Sequence, residues 1–140
     1  MKKNKPMTRS ENMARVKSKN TKPEIFLRKL LWHKGFRYRV NYKSLPGRPD
    51  IYLPKHKHKT AIFVNGCFWH MHENCRYSSI PKNNHDFWKN KLEGNVERDK
   101  QNYSKLERMG IKVIVVWGCE IKQMMKDEIK IENLLHTILL

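Results

Sequence analysis

The spacing of apolar residues changes several times along the 140-residue chain, and each change predicts a different element. The sequence from Thr21 reads Thr-Lys-Pro-Glu, a capping box with proline in the first turn, which predicts a helix start. Gly35 predicts the end of this helix. Glu24 lies in its first turn, where backbone capping and a functional role are both open. The predicted core-facing stripe comprises Ile25, Phe26, Leu30 and Leu31.

Four later segments have the patterns of strands. Residues 36–42 alternate apolar and polar side chains, which is typical of a half-exposed strand. Residues 51–53 and 60–65 are short strands, joined by a basic hairpin tip at 55–59. Residues 112–117 form a near-continuous apolar run, which predicts a strand buried on both faces.

Helices are predicted on both sides of that last strand. One starts near Asp86 and extends to Met109, and a break at Gly94 is left open. Residues 120–140 predict one or two helices, whose apolar positions are Ile129, Ile131, Leu134, Leu135 and Ile138. The order helix, strand, strand, strand, helix, strand, helix predicts the α/β class, with a central mixed sheet flanked by helices.

The positive charge of the chain is concentrated in its N-terminal half. The net charge is +17. Residues 1–60 hold 18 Lys and Arg against 3 acidic residues, a balance of +15, whereas residues 120–140 hold 3 against 4. This asymmetry predicts a polyanionic partner, and nucleic acid is the commonest one. A solvated basic surface and an anionic membrane are the weaker alternatives.

The length of the chain predicts one domain with a single core. Residues 1–9 are basic and polar, and we expect a flexible arm that orders only on a partner. The folded domain is expected to span residues 10–140, beginning with a short helix at 10–17. No apolar stretch approaches the roughly 20 residues of a membrane span, and we expect a cytoplasmic location.

The cysteines point to a metal. Their number, three, argues against a disulfide framework. Cys67, His72 and Cys75 have the spacing C-x4-H-x2-C, and Cys119 is predicted to end the neighbouring strand. These four ligands describe a structural zinc site. His70 competes with His72 for the ligand role, and spacing does not decide between them. The alternative is a metal-free loop beside an ordinary buried cysteine.

Two aspartates and a histidine are candidates for hydrolytic chemistry. Asp50 closes a Pro-rich turn before a strand, a common place for a Mg²⁺-binding carboxylate and also for an ordinary turn residue. Asp99 lies on the buried stripe of the long helix, where a carboxylate needs a partner. His70 is the candidate partner, and a lysine or arginine is the structural alternative. The other members of the stripe are Leu92, Val96, Tyr103 and Leu106.

Three aromatic residues have no obvious place in the core. Phe68 and Trp69 lie in a polar loop, and Trp88 lies near a helix start. On a basic protein, exposed aromatic side chains predict stacking on bases or insertion between them. Packing around the metal loop is the alternative, and for Trp88 it is about equally favoured.

Together these motifs resemble the very short patch repair (Vsr) mismatch endonucleases. The match extends in order from Thr8 to Cys119. It comprises TRSxNM at 8–13, LPGRPD at 45–50, GCFWH at 66–70, FW at 87–88, NVERD at 95–99 and VWxC at 116–119. The resemblance implies a fold similar to type II restriction endonucleases, with a structural zinc. It also implies an enzyme that nicks one DNA strand beside the thymine of a T:G mismatch left by deamination of 5-methylcytosine.

The resemblance also implies roles for the site residues. Asp50 would bind the catalytic Mg²⁺, with the backbone carbonyl of Val64 as a second ligand. His70 would be the catalytic histidine, Asp99 its acidic partner and Glu24 an accessory acid. The implied zinc ligands are Cys67, His72, Cys75 and Cys119. The implied DNA contacts are the aromatic wedge and two polar residues, namely Phe68, Trp69, Trp88, Asn65 and Arg48.

The chain departs from the better-known members at Val64 and Asn65, where they carry threonine and histidine. A backbone ligand survives the first change, whereas the second removes a titratable side chain from near the scissile phosphate. The implied partners are duplex DNA with a T:G mismatch, a MutL-type mismatch-repair protein and, functionally, a DNA cytosine-5 methyltransferase. We expect a monomer. Two other functions remain open: a restriction-like endonuclease cutting both strands of paired DNA, and a zinc-stabilised DNA-binding module without catalysis.

Overall fold

The computed structural model describes residues 20–140. The expected arm at 1–9 and the expected helix at 10–17 therefore lie outside the described residues. A four-stranded sheet forms the centre of the described part, with strand order β1-β2-β3-β4. The strands are β1 (Arg39–Val40), β2 (Ile51–Leu53), β3 (Thr60–Asn65) and β4 (Lys112–Trp117).

The sheet is mixed, as predicted. β1 pairs with β2 and β2 with β3 in antiparallel fashion, whereas β3 pairs with β4 in parallel. Ile51 lies opposite Ile62, and Ile62 lies opposite Ile114. This register places the start of β2, and Asp50 just before it, beside the end of β3.

Within residues 20–140, four α-helices flank the sheet. They are α1 (Lys22–His33), α2 (His85–Arg108), α3 (Gly118–Met124) and α4 (Glu128–Leu139), and a 3₁₀ turn covers Arg76–Ser78. The helix α2 connects β3 to β4, and such a crossover is what a parallel pair of strands requires. The α/β class and the helix-flanked mixed sheet are therefore confirmed. No helix within residues 20–140 is both long and apolar enough to cross a membrane.

Buried side chains form three clusters. The largest contains Leu27 and Leu31 of α1, Ile62 of β3 and residues of α3 and α4 such as Ile121 and Ile138. A second packs Leu106 of α2 and Ile111 against Ala61 and Phe63 of β3. The third joins Phe68 to Trp88 and Leu92 of α2. The third cluster ties the loop after β3 to α2 and so sets the position of that loop.

Several local predictions were wrong in detail. The strand predicted at 36–42 is limited to Arg39–Val40, because only these two residues pair with β2. β4 is not buried on both faces: Ile114 and Val116 are buried, but the alternate residues, which point to the opposite face of the sheet, are half-exposed. Cys119 does not end this strand but lies in the first turn of α3. The long helix continues through Gly94 without a break.

The helix stripes also differ from those predicted. In α1 the fully buried residues are Leu27 and Leu31, whereas Ile25 is 39% exposed. In α4 the residue Ile129 is 64% exposed. α1 starts as predicted, with proline in its first turn, but the Thr21 side chain makes no capping bond. The carboxylate of Glu24 instead accepts a hydrogen bond from the backbone N–H of Asn20 (2.8 Å).

Candidate active site and metal centre

Asp50 is held against the end of β3. Its Oδ2 accepts a hydrogen bond from the backbone N–H of Val64 at 2.7 Å, a bond that the antiparallel β2–β3 register makes available. Burial raises the pKa of Asp50 from 3.8 to about 6, although the Val64 N–H lowers it; the neighbouring carboxylate of Glu24 raises it further. Arg28 and His70 also lower the pKa of Asp50, but burial outweighs them, so Asp50 is a largely buried carboxylate with little compensating charge.

Glu24 faces the same site from α1. Only 4% of it is exposed, and a carboxylate so buried requires partners. Two donors meet at one oxygen, Oε2: the N–H of Asn20 at 2.8 Å and Nη2 of Arg28 at 3.3 Å. Glu24 also lines the same pocket as Asp50 and is close enough to raise its pKa. Glu24 therefore both caps the backbone at Asn20 and lines the pocket.

His70 and Asp99 are paired across the loop after β3 and the middle of α2. Nδ1 of His70 lies 2.5 Å from Oδ2 of Asp99, and both side chains are about three-quarters buried. A carboxylate acceptor favours the tautomer with the proton on Nδ1, which leaves the lone pair on Nε2. The pairing predicted for Asp99 is therefore found, and the partner is the histidine instead of a lysine or arginine.

These groups converge on one pocket. It has a volume of about 300 Å³ and is lined by side chains from α1, the turn before β2, the end of β3, the loop after it and α2. Its polar lining residues are Glu24, Asn41, Arg48, Asp50, Asn65, His70, Asp99 and Asn102. The carboxylates of Asp50 and Glu24 can bind a divalent cation, and His70, whose Nδ1 faces Asp99, can move a proton through Nε2.

The turn before β2 adopts a backbone conformation that is unusual for its residues. Gly47 (φ +75°) and Arg48 (φ +49°) are both in the left-handed region. A Cβ on Gly47 would lie 3.0 Å from Cβ of Asn102, so the turn sits directly against α2. Arg48, in a conformation that a side chain of its type rarely adopts, is thereby held at the rim of the pocket.

Asn65 is bound to another side chain of the site. It is only 3% exposed, and its Nδ2 donates a hydrogen bond to the hydroxyl of Tyr103 at 2.8 Å. Burial raises the pKa of Tyr103 to about 12, and the carboxylates of Asp99 and Asp50 add to this, although the Asn65 bond lowers it. One amide N–H of Asn65 is thus bound to Tyr103, and the predicted contact of Asn65 with DNA stays a prediction.

A second cluster lies behind the loop. Ligand atoms of the four predicted residues, Cys67, His72, Cys75 and Cys119, lie within 4.8 Å of one another, as ligands of one ion would. Nδ1 of His72 is 3.5 Å from Sγ of Cys119. The three cysteines form no disulfide. The competition between the histidines is resolved by geometry: His72 joins the thiols and His70 joins Asp99.

The chemistry of this cluster fits a cation. Burial and the neighbouring thiols of Cys67 and Cys75 raise the pKa of Cys119 to about 12. A bound metal ion reverses such repulsion, since it deprotonates coordinating thiols. The ring of His72 stacks on Trp117, with centroids 4.1 Å apart and planes at 10°, so the imidazole is oriented before any ion binds. Three sulfurs and one nitrogen suit a closed tetrahedral site.

The aromatic residues are less exposed than predicted. Phe68 is 5% exposed and Trp88 is 3% exposed, and their ring centroids are 5.4 Å apart. The expectation that Phe68 lies exposed on the loop was wrong, because α2 offers it an apolar cluster with Leu92. Trp69 packs on the same cluster but also lines an open pocket with Lys91 and His70.

Sequence reasoning missed part of the site. Arg28, Asn41 and Asn102 were not predicted, and Tyr103 was noted only as a stripe residue. Helical spacing could have found two of them: Arg28 is four residues after Glu24, and Tyr103 is four residues after Asp99. No local pattern predicts that Asn41 lines the pocket, because its position depends on how β1 meets the turn before β2.

Comparisons with known proteins agree with this geometry. A family model described as DNA mismatch endonuclease Vsr matches residues 1–76. The chain is 52% identical over 114 residues to the type II nicking enzyme V.NmeAIP of Neisseria meningitidis, which covers 81% of this chain and 79% of that protein. It is 42% identical over 130 residues to the type II nicking enzyme V.XorIIP of Xanthomonas oryzae pv. oryzae, covering 93% of each. It is 38% identical over 129 residues to the DNA mismatch endonuclease Vsr of Escherichia coli, covering 91% and 81%.

Proposed function

The chain belongs to the Vsr family of DNA mismatch endonucleases, and we propose that it nicks one strand of duplex DNA next to the thymine of a T:G mismatch. Such mismatches arise when 5-methylcytosine is deaminated, and the nick would initiate very short patch repair. The relatives, a DNA mismatch endonuclease and two type II nicking enzymes, support an endonuclease that cleaves one strand.

The observation that carries this proposal is the convergence of Asp50, Glu24, His70 and Asp99 on one pocket. The four side chains come from separate parts of the chain, and each alone has a structural explanation. Together they supply oxygen ligands for a hard cation and an oriented imidazole. A DNA-binding module would not need this combination.

Asp50 is proposed as the Mg²⁺ ligand, with Glu24 as an accessory acid beside it. The backbone carbonyl of Val64 is the proposed second ligand. In an extended strand the N–H and C=O of one residue point to the same edge, and the Val64 N–H already points to Asp50. When bound, Mg²⁺ supplies charge stabilisation to the phosphate and lowers the pKa of a coordinated water.

His70 is proposed to move the proton in the hydrolysis. Nε2 accepts a proton from the attacking water, a bond forms between the water oxygen and phosphorus, and the bond to the leaving oxygen breaks. The leaving oxygen then takes a proton from solvent. Asp99 holds the imidazole in the required tautomer and stabilises the imidazolium that forms. The chemistry therefore needs the histidine–aspartate pair intact.

Zinc is the proposed ion of the cysteine cluster, where Cys67, His72, Cys75 and Cys119 would hold it. A closed set of four ligands favours a structural role. The ligands bracket the segment from residue 67 to 75, which contains His70 and Trp69. Zinc would thus fix the loop that presents the catalytic histidine.

DNA binding is proposed to use the positive N-terminal half and the aromatic cluster. Residues 1–60 carry a balance of +15, which suits a phosphate backbone. Arg48 at the pocket rim and Trp69 beside it are the accessible members of the predicted set. Phe68 and Trp88 are proposed to support Trp69 from behind, as the buried part of the wedge. Association with a MutL-type protein, a functional link to a DNA cytosine-5 methyltransferase, and action as a monomer are further proposals.

Cleavage of two duplexes that differ at a single base pair tests the proposal. One duplex carries T:G in a methyltransferase-site context, and the other carries T:A at the same position. With Mg²⁺, we expect a single nick beside the thymine of the T:G duplex and little cleavage of the T:A duplex. Equal cleavage of both would contradict mismatch-directed repair.

The cleavage products also distinguish a nicking enzyme from a restriction-like enzyme and from a DNA-binding module. Denaturing gels reveal a nick, and native gels reveal a double-strand break. A break in both strands of fully paired DNA would favour a restriction-like enzyme. Binding without cleavage in Mg²⁺ would favour a DNA-binding module. We expect Asp50→Ala and His70→Ala to abolish the nick and to leave binding in place.

A further inference from the structure

The side chain of Tyr103 lies beside the catalytic pair, in a fixed position. Tyr103 is on α2, one turn after Asp99, so both side chains share a face of the helix. Its ring packs on Phe63 of β3, with centroids 4.9 Å apart. The hydroxyl accepts a hydrogen bond from Nδ2 of Asn65 at 2.8 Å. Contacts on both sides therefore hold the phenol before any substrate arrives.

The hydroxyl proton of Tyr103 is available for a ligand. Since the phenol oxygen is the acceptor in its bond to Asn65, its own proton points elsewhere. Among residues 20–140 no acceptor lies within hydrogen-bond distance for it. The raised pKa of about 12 keeps the hydroxyl protonated at neutral pH. Tyr103 is thus a fixed hydroxyl that accepts from Asn65 and can donate its own proton to a ligand.

Tyr103 lines a second cavity that adjoins the carboxylate pocket and does not line that pocket itself. The cavity has a volume of about 490 Å³ and lies between α2, the metal loop and the end of β4. It contains Tyr103 and Lys100 on one wall and shares His70, Asp99 and Asn65 with the carboxylate pocket. Of its carboxylates, Asp99 is paired with His70, and Glu73 is exposed. A hydroxyl donor and an ammonium group on one wall are suited to an anionic oxygen.

We propose that Tyr103 and Lys100 form a phosphate-binding subsite for a DNA backbone phosphate adjacent to the one that His70 hydrolyses. The inference rests on the proposed nuclease function, because only a DNA strand already in the active site would bring a second phosphate here. Asn65 acts as a positioning residue that turns the phenol toward the cavity. Its amide therefore contributes to DNA binding through Tyr103 and not by direct contact.

Single methylphosphonate substitutions test this subsite. Each one removes the charge of one phosphate, and a series can place it at successive positions on both sides of the mismatch. Affinity is measured by fluorescence anisotropy with Ca²⁺ in place of Mg²⁺. For the unsubstituted protein we expect a loss of about tenfold at the phosphate that Tyr103 contacts, the effect of one hydrogen bond to a charged group. Tyr103→Phe should bind the unmodified duplex about tenfold more weakly and show no further loss at that phosphate.

One control variant and one further test variant complete the experiment. Tyr42→Phe removes a hydroxyl from a ring stacked on Tyr52 at 5.0 Å, away from the cavity, and should leave the profile unchanged. Lys100→Gln alters an exposed residue, so it tests the subsite without risk to the fold, and it should weaken the effect of the same methylphosphonate. If Tyr103→Phe lowers the melting temperature greatly, Lys100→Gln carries the test.

Three results would overturn the subsite. One is a profile that neither Tyr103→Phe nor Lys100→Gln changes. Another is a loss in Tyr103→Phe that is the same for every methylphosphonate position, which indicates a structural role. The third is that millimolar inorganic phosphate competes with DNA in a way that depends on Tyr103, while no methylphosphonate position distinguishes Tyr103→Phe from the unsubstituted protein. If the protein instead fails to prefer T:G over T:A, the proposed function fails, and the profile on T:A duplex still tests the subsite.

Discussion

His70 and Asp99 form the shortest side-chain contact of the candidate active site, at 2.5 Å between Nδ1 and Oδ2. The two residues are 29 positions apart, and the loop after β3 and the middle of α2 meet at this contact. The bond fixes both the tautomer and the ring orientation of the histidine. Asp99 is therefore a positioning residue, and we expect its substitution to affect catalysis without unfolding the protein.

Asp99→Asn should lower the turnover of T:G duplex by about 100-fold or more, the range of general acid–base contributions. An amide can donate to Nδ1 and so favours the wrong tautomer. Nicking rates under single-turnover conditions measure the effect, and anisotropy checks that DNA binding is retained. Asp86→Asn is the matched control, because the Asp86 side chain is fully exposed at the start of the same helix. A rate for Asp99→Asn equal to that of the control would contradict the role.

Asp50→Asn should stabilise the protein at neutral pH when no Mg²⁺ is present. The pKa of Asp50 is raised from 3.8 to about 6, so its contribution to stability is full below pH 3.8 and is lost as pH rises through about 6. The variant avoids the ionisation of a buried carboxyl and keeps an acceptor for the Val64 N–H. We expect a gain of up to about 3 kcal/mol at pH 8 and little difference near pH 4.

Urea unfolding without added Mg²⁺ and without chelator, at the two pH values, measures this gain in free energy of unfolding. Asp86→Asn again serves as control, since its exposed carboxyl should give no such pH dependence. A variant that is no more stable than the unsubstituted protein at pH 8 would show that Asp50 ionises freely.

His72→Ala should lose the bound metal and His70→Ala should keep it. The two histidines are two positions apart in one loop, yet only His72 lies among the thiols. Metal content after purification, measured by mass spectrometry, and thermal unfolding distinguish them. Removing a structural zinc should lower the melting temperature, because metal binding contributes directly to folding. Cys119→Ser with a full complement of zinc would show that the fourth ligand is misassigned.

Substitution of the aromatic residues should separate folding from DNA binding. Phe68→Ala and Trp88→Ala remove buried rings and should each cost about 3–5 kcal/mol of stability. Trp69→Ala should cost less, because its ring also faces an open pocket, but it should weaken binding to the T:G duplex. Chemical denaturation and anisotropy provide the two measurements. Equal stability losses for all three would place Trp69 in the core as well.

DNA affinity should fall steeply with salt. Lys and Arg of the N-terminal half displace counterions from phosphates, and several such contacts reduce affinity by about a thousandfold or more between 50 and 200 mM salt. A titration by anisotropy at four salt concentrations gives the slope. A nearly flat affinity over this range would contradict the assignment of the +15 segment to DNA.

Much of the fold could be predicted because local patterns persist in the structure. The strands at 51–53 and 60–65 were predicted with the bounds observed, since apolar runs between turn residues have few alternatives. The edge strand at 39–40 was overestimated, because alternation within 36–42 does not reveal how many residues find a partner. In α1 the buried face is centred on Leu27, a choice made by packing against the sheet and not by the helix itself.

The sequence alone determined the chemical inventory of this protein: its positive N-terminal half, the Cys/His spacing, and the carboxylates and histidines from which a site can be built. These follow from composition and local spacing. Only the tertiary structure decided which histidine meets Asp99 and which meets the thiols, that Phe68 and Trp88 are buried, and that Asn65 is bound to Tyr103. Each of these depends on contacts between segments distant in the chain, and local sequence does not encode the distance between them.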